Sequence, residues 1–220
     1  MTGVQTCALP IYVNDNFSEN ELANLSNGSV ASFDQATGRG TLTFSNATTT
    51  FSFVFYLSSP SSGVIQETTG TAGSALVVAD GSIAAQSGSP FTSTNVSGNY
   101  AMNWSGLVFS GASGGFVDEE DLVSLVKVSS LSLNGTSDIF QFTSNTLTPI
   151  TNVGTGGSIN FNGGDGAGDD GKSVSMTVQL SQIKPIHMVV YIVSPQLAFF
   201  ENSDNTGTNR IVAGILQAQQ

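Results

Sequence analysis

From Thr41 to Leu57 the chain reads TLTFSNATTTFSFVFYL, with Leu42, Phe44, Phe51, Phe53, Phe55 and Leu57 falling on every second position of two runs. Period-two alternation of this kind predicts half-buried strands, and the Asn-containing break between the runs predicts a hairpin turn. The same signal recurs in SDIFQFTS, GSINFNG, KSVSMTVQL, HMVVYIVSP and RIVAGILQAQ. Apolar residues at helical spacing occur only in VDEEDLVSLVKVSSLSL (117–133), where Asp118–Asp121 could cap a short helix. The Val-Lys-Val-Ser-Ser-Leu alternation that follows favours a strand there too. About eight such strands fall within the last part of the chain, joined by short turns, which predicts an antiparallel meander. Closing the meander into a barrel removes the exposed edges that a flat sheet would leave. A two-sheet β-sandwich is the alternative that strand count leaves open.

Two stretches of this pattern resemble each other. FVFYLSSPSSGVIQET (53–68) aligns with MVVYIVSPQLAFFEN (188–202), placing Tyr56 on Tyr191, Pro60 on Pro195 and Glu67 on Glu201. Farther on, LVVADGSIAAQ parallels NRIVAGILQAQ, with Gly81 on Gly214 and Gln86 on Gln219. Upstream, DQATGRGTLTF parallels DDGKSVSMTV, setting Arg39 beside Lys172. The spacing is domain-sized, longer than the repeats of solenoids. The expected organisation is therefore two tandem β-meander units: residues 12–86 as the C-terminal part of a truncated first unit, 87–97 as a polar linker, and 98–220 as a complete second unit.

Charge narrows the partners. Only 10% of the residues are charged, against about 25% in an average globular domain, and five basic residues face 16 acidic ones for a net charge of -11. Nucleic acid and anionic membrane surfaces are poor partners for such a chain, because phosphate binding needs clustered Lys and Arg. No apolar run reaches the roughly 18 residues of a membrane helix. The single cysteine, Cys7, lies in the opening MTGVQTCALPI. These residues, 1–11, resemble a translated sequencing adapter, which implies an assembly artefact, a gene cut upstream of Tyr12 and a signal peptide lost with it. Without Cys7 the chain offers no disulfide, thiol nucleophile or zinc–cysteine site.

The succession GNYAMNWSG, a Gly-rich region, GRGTLTF, the F-V-F-Y strand with Ser-Pro and a closing G-x-x-x-x-Q resembles the repeated β-domains of uncharacterised, predicted secreted or surface proteins of environmental bacteria. That resemblance implies export and a binding or structural part, and it carries no catalytic residues over. The GNY opening on a meander is also similar to lipocalin- and avidin-like barrels at the level of fold.

Candidate chemistry is sparse. His187 is the only histidine, on an alternating run, and Ser52 takes its place in the first copy, so a structural histidine is expected and a catalytic set is not. Arg39, Glu67, Lys172 and Glu201 form a repeat-equivalent polar set, readable as cation–carboxylate pairs at a binding mouth or as anchors between strands. In NGGDGAGDDGK (162–172), Asp165, Asp169 and Asp170 cluster among glycines, which suits a hairpin turn or a calcium site built from carboxylate oxygens. No other cofactor is expected. VDEED (117–121) reads as a solvated acidic loop. Trp104 and Tyr100 open the complete unit, as core residues or as a surface on which a sugar could stack. Three functions fit: a non-enzymatic exported structural or interaction module, a small-ligand-binding barrel, and a carbohydrate-binding accessory domain. A surface, glycan or protein partner goes with the first and third.

Overall fold

The computed structural model describes residues 11–15, 18–22, 29–45, 50–68, 80–87, 91–94, 96–109, 117–143, 146–161, 173–181, 184–202 and 210–219. Cys7 and the rest of 1–10 lie outside them, as do Lys172 and the 162–172 segment. All regular structure among the described residues is β. Strands β1 (Ile11–Asp15) and β2 (Ser18–Leu22) form a two-stranded sheet. Strands β3 (Ser29–Asp34), β4 (Arg39–Ser45), β5 (Thr50–Ser59), β6 (Ser62–Glu67) and β7 (Asp80–Ala84) form a five-stranded antiparallel sheet in chain order. The remaining eight are β8 (Gly98–Phe109), β9 (Val117–Ser129), β10 (Ser132–Thr143), β11 (Thr146–Asn160), β12 (Ser173–Leu180), β13 (Ile186–Ser194), β14 (Leu197–Asn202) and β15 (Arg210–Ala218). Each pairs with its sequence neighbour, and β15 pairs back onto β8, from Arg210↔Val108 to Ala218↔Tyr100. The result is a closed, antiparallel, eight-stranded barrel, not a sandwich.

Alternation decides what goes inside. Along β8, Met102 and Trp104 are buried while Ala101, Asn103 and Ser105 are exposed; along β9, Leu122, Val126 and Val128 are buried while Val123, Leu125 and Lys127 are not. The inward positions of all eight strands merge into one apolar cluster whose largest members, Trp104, Met102, Leu133, Ile139, Met188 and Ile192 among them, are less than 2% exposed. A barrel this narrow is filled by its own side chains. Glycine makes the seam close: a Cβ on Gly214 would fall against the Asn103 carbonyl and the Phe200 ring. The chain enters the barrel earlier than the polar 87–97 segment suggests. The division between the two compact units falls between Ala85 and Gln86, Ser87 N–H donates to the Val193 carbonyl at 2.7 Å, and Phe91 and Val96 belong to the barrel core.

In the five-stranded sheet, one face gathers aromatics around a glycine. Gly40 pairs with both Phe33 and Phe55, and the two rings stack over it at 6.1 Å and 15°. Phe44 and Phe53 meet edge to face beside them. The β3–β4 turn is held by Asp34: its carboxylate accepts from Ala36 N–H at 2.9 Å and from the Thr37 hydroxyl at 2.8 Å, while Gly38 takes φ = 69°. These bonds, the Ala36 N–H foremost, hold the Asp34 carboxyl below its ordinary range. A depressed carboxyl stabilises the turn above its unfolded pKa and ceases to do so as pH falls through its folded one. The Ala36 and Thr37 amide resonances are therefore expected to move together in acid, below the ordinary Asp range, and to lose that transition in Asp34→Asn.

The hairpins β5–β6 and β13–β14 share one construction. Each has a bulge just before its turn, between Leu57 and Ser59 in one and Ile192 and Ser194 in the other, and each turns over a proline, Pro60 or Pro195. Leu57↔Gly63 corresponds to Ile192↔Ala198, and Ile65↔Gly81 on the next ladder corresponds to Phe200↔Gly214.

Candidate functional site

The most polar part of the barrel interior lies at the end reached by Phe109, Val117, Thr143 and Arg210. Continuing the inward register of β9 past Leu122 places Glu120 inside, with no exposed surface. Its cross-strand partner on β10 is Gln141, whose side-chain amide donates to Oε2 at 2.7 Å. From β15, Arg210 donates through Nε to Oε1 at 3.0 Å and through Nη2 to Oε2 at 3.2 Å. This is the two-pronged guanidinium–carboxylate geometry that gives the strongest ion-paired hydrogen bonds. Asn202, 4% exposed, holds the same corner from β14 by donating to the Arg210 carbonyl and accepting the Val212 N–H. The set pairs its acid with its base, and Glu120 takes its three hydrogen bonds from Arg210 and Gln141. The set carries no nucleophile and no free base.

One step inward from Gly106, opposite Glu120, sits Trp104. It is 1% exposed and meets Phe200 edge to face at 6.5 Å. Its Nε1–H is buried with no hydrogen-bond partner among the described residues. Trp104 is thus a core side chain and offers no face to a sugar. Tyr100 is also interior, and its hydroxyl donates to the Pro195 carbonyl at 2.8 Å. Burial pushes its phenol pKa up.

The structure separates the sequence candidates. VDEED is part of β9 and not a solvated loop: Glu119 and Asp121 face out while Glu120 faces in. Arg39 pairs with Tyr56, and its guanidinium lies 6.0 Å from the Tyr56 ring centroid. Glu67 pairs with Phe53, three residues away along β5. An odd separation along a strand puts side chains on opposite faces, so Arg39 and Glu67 do not meet. The shared hairpin register also reassigns their counterparts. Asn202, opposite Met188, occupies the place of Glu67, opposite Phe53; Glu201, opposite Val189, occupies that of Gln66, opposite Val54. Ser173, opposite Tyr191, stands where Arg39 stands opposite Tyr56. The repeat-equivalent set Arg39, Glu67, Lys172 and Glu201 is one residue out at both ends, because the sequence alignment needs a gap that the ladders do not have. His187 faces outward on β13 opposite Thr177. Asp165, Asp169 and Asp170 lie outside the described residues, among which no group of three His, Cys, Asp or Glu could hold a metal ion.

The outer wall of β8, β9 and β10 is the other distinctive surface. A bulge puts two residues of β11, 151 and 152, opposite the single Asp138 of β10; Asp138 accepts the Asn152 N–H at 2.8 Å, and Asn152 takes φ = 56°. Beside the bulge a groove of about 270 Å³ runs between Ala101, Val123, Leu125, Thr136, Asp138 and Asn152. Its floor is a chain of hydroxyls in which Ser137 donates to Ser124 at 2.9 Å and also bonds Thr155.

No known protein family matches the chain, and no curated protein matches it. Among solved structures it is similar to a double mutant of the vaccine antigen Transferrin Binding Protein B from Haemophilus parasuis Hp5, at 16% identity and a TM-score of 0.37. That match covers 93% of this chain and 43% of the other, so the chain spans under half the length of the protein it matches.

Proposed function

We propose that this is a non-enzymatic, exported protein of tandem β-units that acts as a structural or interaction module at the cell surface or outside the cell. One observation carries the reading: the barrel interior is filled by its own side chains and closed by the Glu120–Arg210–Gln141 plug. What remains for recognition is the outer wall and the loops. The common register and bulge of β5–β6 and β13–β14 support a duplicated unit. The alternation supports work in water, since a barrel facing lipid carries its apolar residues outside, and here Thr177, Gln179 and His187 point outward while Val178 and Met188 point in. Also, no helix among the described residues is long and apolar enough to cross a membrane.

The rival, a small-ligand barrel, needs a lumen of a few hundred Å³. Titrating the protein with a fatty acid, a retinoid and a set of oligosaccharides while following Trp104 emission separates the two. A buried, unmoved, blue-shifted emission is expected. A saturable shift with any of these ligands would make the barrel a carrier and sink the module reading.

A further inference from the structure

We infer that the outer wall of β8–β10 is a docking surface for a cationic, apolar polypeptide segment of a partner protein, an inference that rests on the interaction-module reading and gives it a site. The barrel's exposed large hydrophobic residues, among those described, all lie on these three strands or the turn joining two of them: Leu107 (39% exposed), Val123 (52%), Leu125 (51%), Leu131 (52%), Phe140 (36%) and Phe142 (45%). The ladders set them in rows across the wall. Leu107, Glu119 and Phe142 make one row, and Ser105, Asp121 and Phe140 the next. Asn103, Val123 and Asp138 follow, then Ala101, Leu125 and Thr136. Same-face residues recur about every 6.6 Å along a strand, so the four rows span about 20 Å, the length of an extended segment of about six residues. A solvated barrel has no packing reason to keep such a face. Phe140 with Phe142, and Val123 with Leu125, are successive same-face residues of β10 and β9, and exposed apolar side chains clustered in this way mark an interaction site.

Charge selects the occupant. The carboxylates of Glu119 and Asp121 stand in the two rows that carry Phe142 and Phe140, so an ammonium or guanidinium laid there meets a carboxylate on one side and a ring on the other. The base on this wall, Lys127, lies at the opposite end, between Asn99 and Asn134. A second copy of the chain is the poorer partner, because its wall brings only Lys127 to the two carboxylates, and only when the two walls run antiparallel. An anionic segment is excluded by repulsion from the same carboxylates. A strand alternating Lys or Arg with Leu or Val matches both the rows and their sign.

The test is fluorescence anisotropy of the full chain with a short labelled peptide alternating Lys and Leu, against a Glu–Leu peptide of the same length. Saturable binding of the Lys–Leu peptide alone is expected, weakening several-fold between about 50 and about 300 mM salt. Phe140→Ser with Phe142→Ser should weaken it by about tenfold or more, and Glu119→Gln with Asp121→Gln by a similar factor, while Glu67→Gln leaves it unchanged. All four wall positions are exposed, and unchanged melting curves confirm that the variants fold; if the phenylalanine pair is unstable, the carboxylate pair decides alone. Wall variants that bind like the parent, or equal loss in Glu67→Gln, would mean attraction to the overall negative charge and would overturn the docking surface. That outcome leaves the packed lumen untouched, whereas a Trp104 response to small ligands would remove the reading beneath it.

Discussion

Arg210→Met is expected to destabilise the barrel by about 3–5 kcal/mol, the usual cost of leaving one member of a buried ion pair without its partner. Glu120 has no exposed surface and three hydrogen bonds, two of them from Arg210. Removing the guanidinium strands the carboxylate in an apolar barrel with a single amide donor. The double variant Glu120→Leu/Arg210→Met should behave differently. It leaves no charge to desolvate, so its stability is expected to return to near the parent value or above it. Urea denaturation of the parent, both single variants and the double variant makes a complete thermodynamic cycle. Additive losses, with the double variant worse than either single one, would mean that Glu120 and Arg210 stabilise the barrel independently and that stranding the carboxylate is not what the single variants measure.

The second large effect is at Trp104. Trp104→Ala removes the largest fully buried side chain, which meets Phe200 over Gly214 of the intervening β15. Truncation of a buried tryptophan costs about 3–5 kcal/mol, more where the surroundings cannot collapse. Eight hydrogen-bonded strands in a closed ring resist collapse, so the upper part of that range is expected. Trp104→Phe is the informative companion. It loses volume too, but it also discards a buried N–H that has no acceptor among the described residues, a group whose desolvation alone costs about 1–3 kcal/mol. Thermal melts should therefore place Trp104→Phe much nearer the parent than Trp104→Ala. A phenylalanine variant as unstable as the alanine one would show that Nε1 has an acceptor after all.

Much of the fold was legible because a strand writes its burial into every second letter. The runs around Phe53, Val178 and Met188 announce their inner faces without help from any other part of the chain. Glu120 was legible by the same rule and was missed: counting back by twos from Val128, Val126 and Leu122 arrives at it, but the charges on either side suggest a loop. Its partner could not be found this way, since Arg210 lies 90 positions away and only closure of β15 onto β8 brings the two together. The polar set Arg39, Glu67, Lys172 and Glu201 failed for a related reason. Matching residue types rewards an alignment that sets acid on acid, whereas ladder register follows the hydrogen bonds, and these set Asn202 in the place of Glu67. A one-residue slip of that kind reverses the face on which a side chain stands. The exposed phenylalanines of β10 were hidden for the opposite reason: Phe140 and Phe142 look like core until Ile139 and Gln141 are found to hold the inward positions.

The seam between β15 and β8 sets how the barrel answers to force. The two strands are antiparallel neighbours, and the chain enters and leaves at the same rim, where Gln219 N–H donates to the Asn99 carbonyl at 2.9 Å. Tension applied through the two ends therefore acts across the ladder, not along it. Its bonds break one after another from Ala218↔Tyr100 toward Arg210↔Val108, like a zip, and the Glu120–Arg210 bond at the far end is the last link to open. A barrel closed this way yields early and reseals when the load is released.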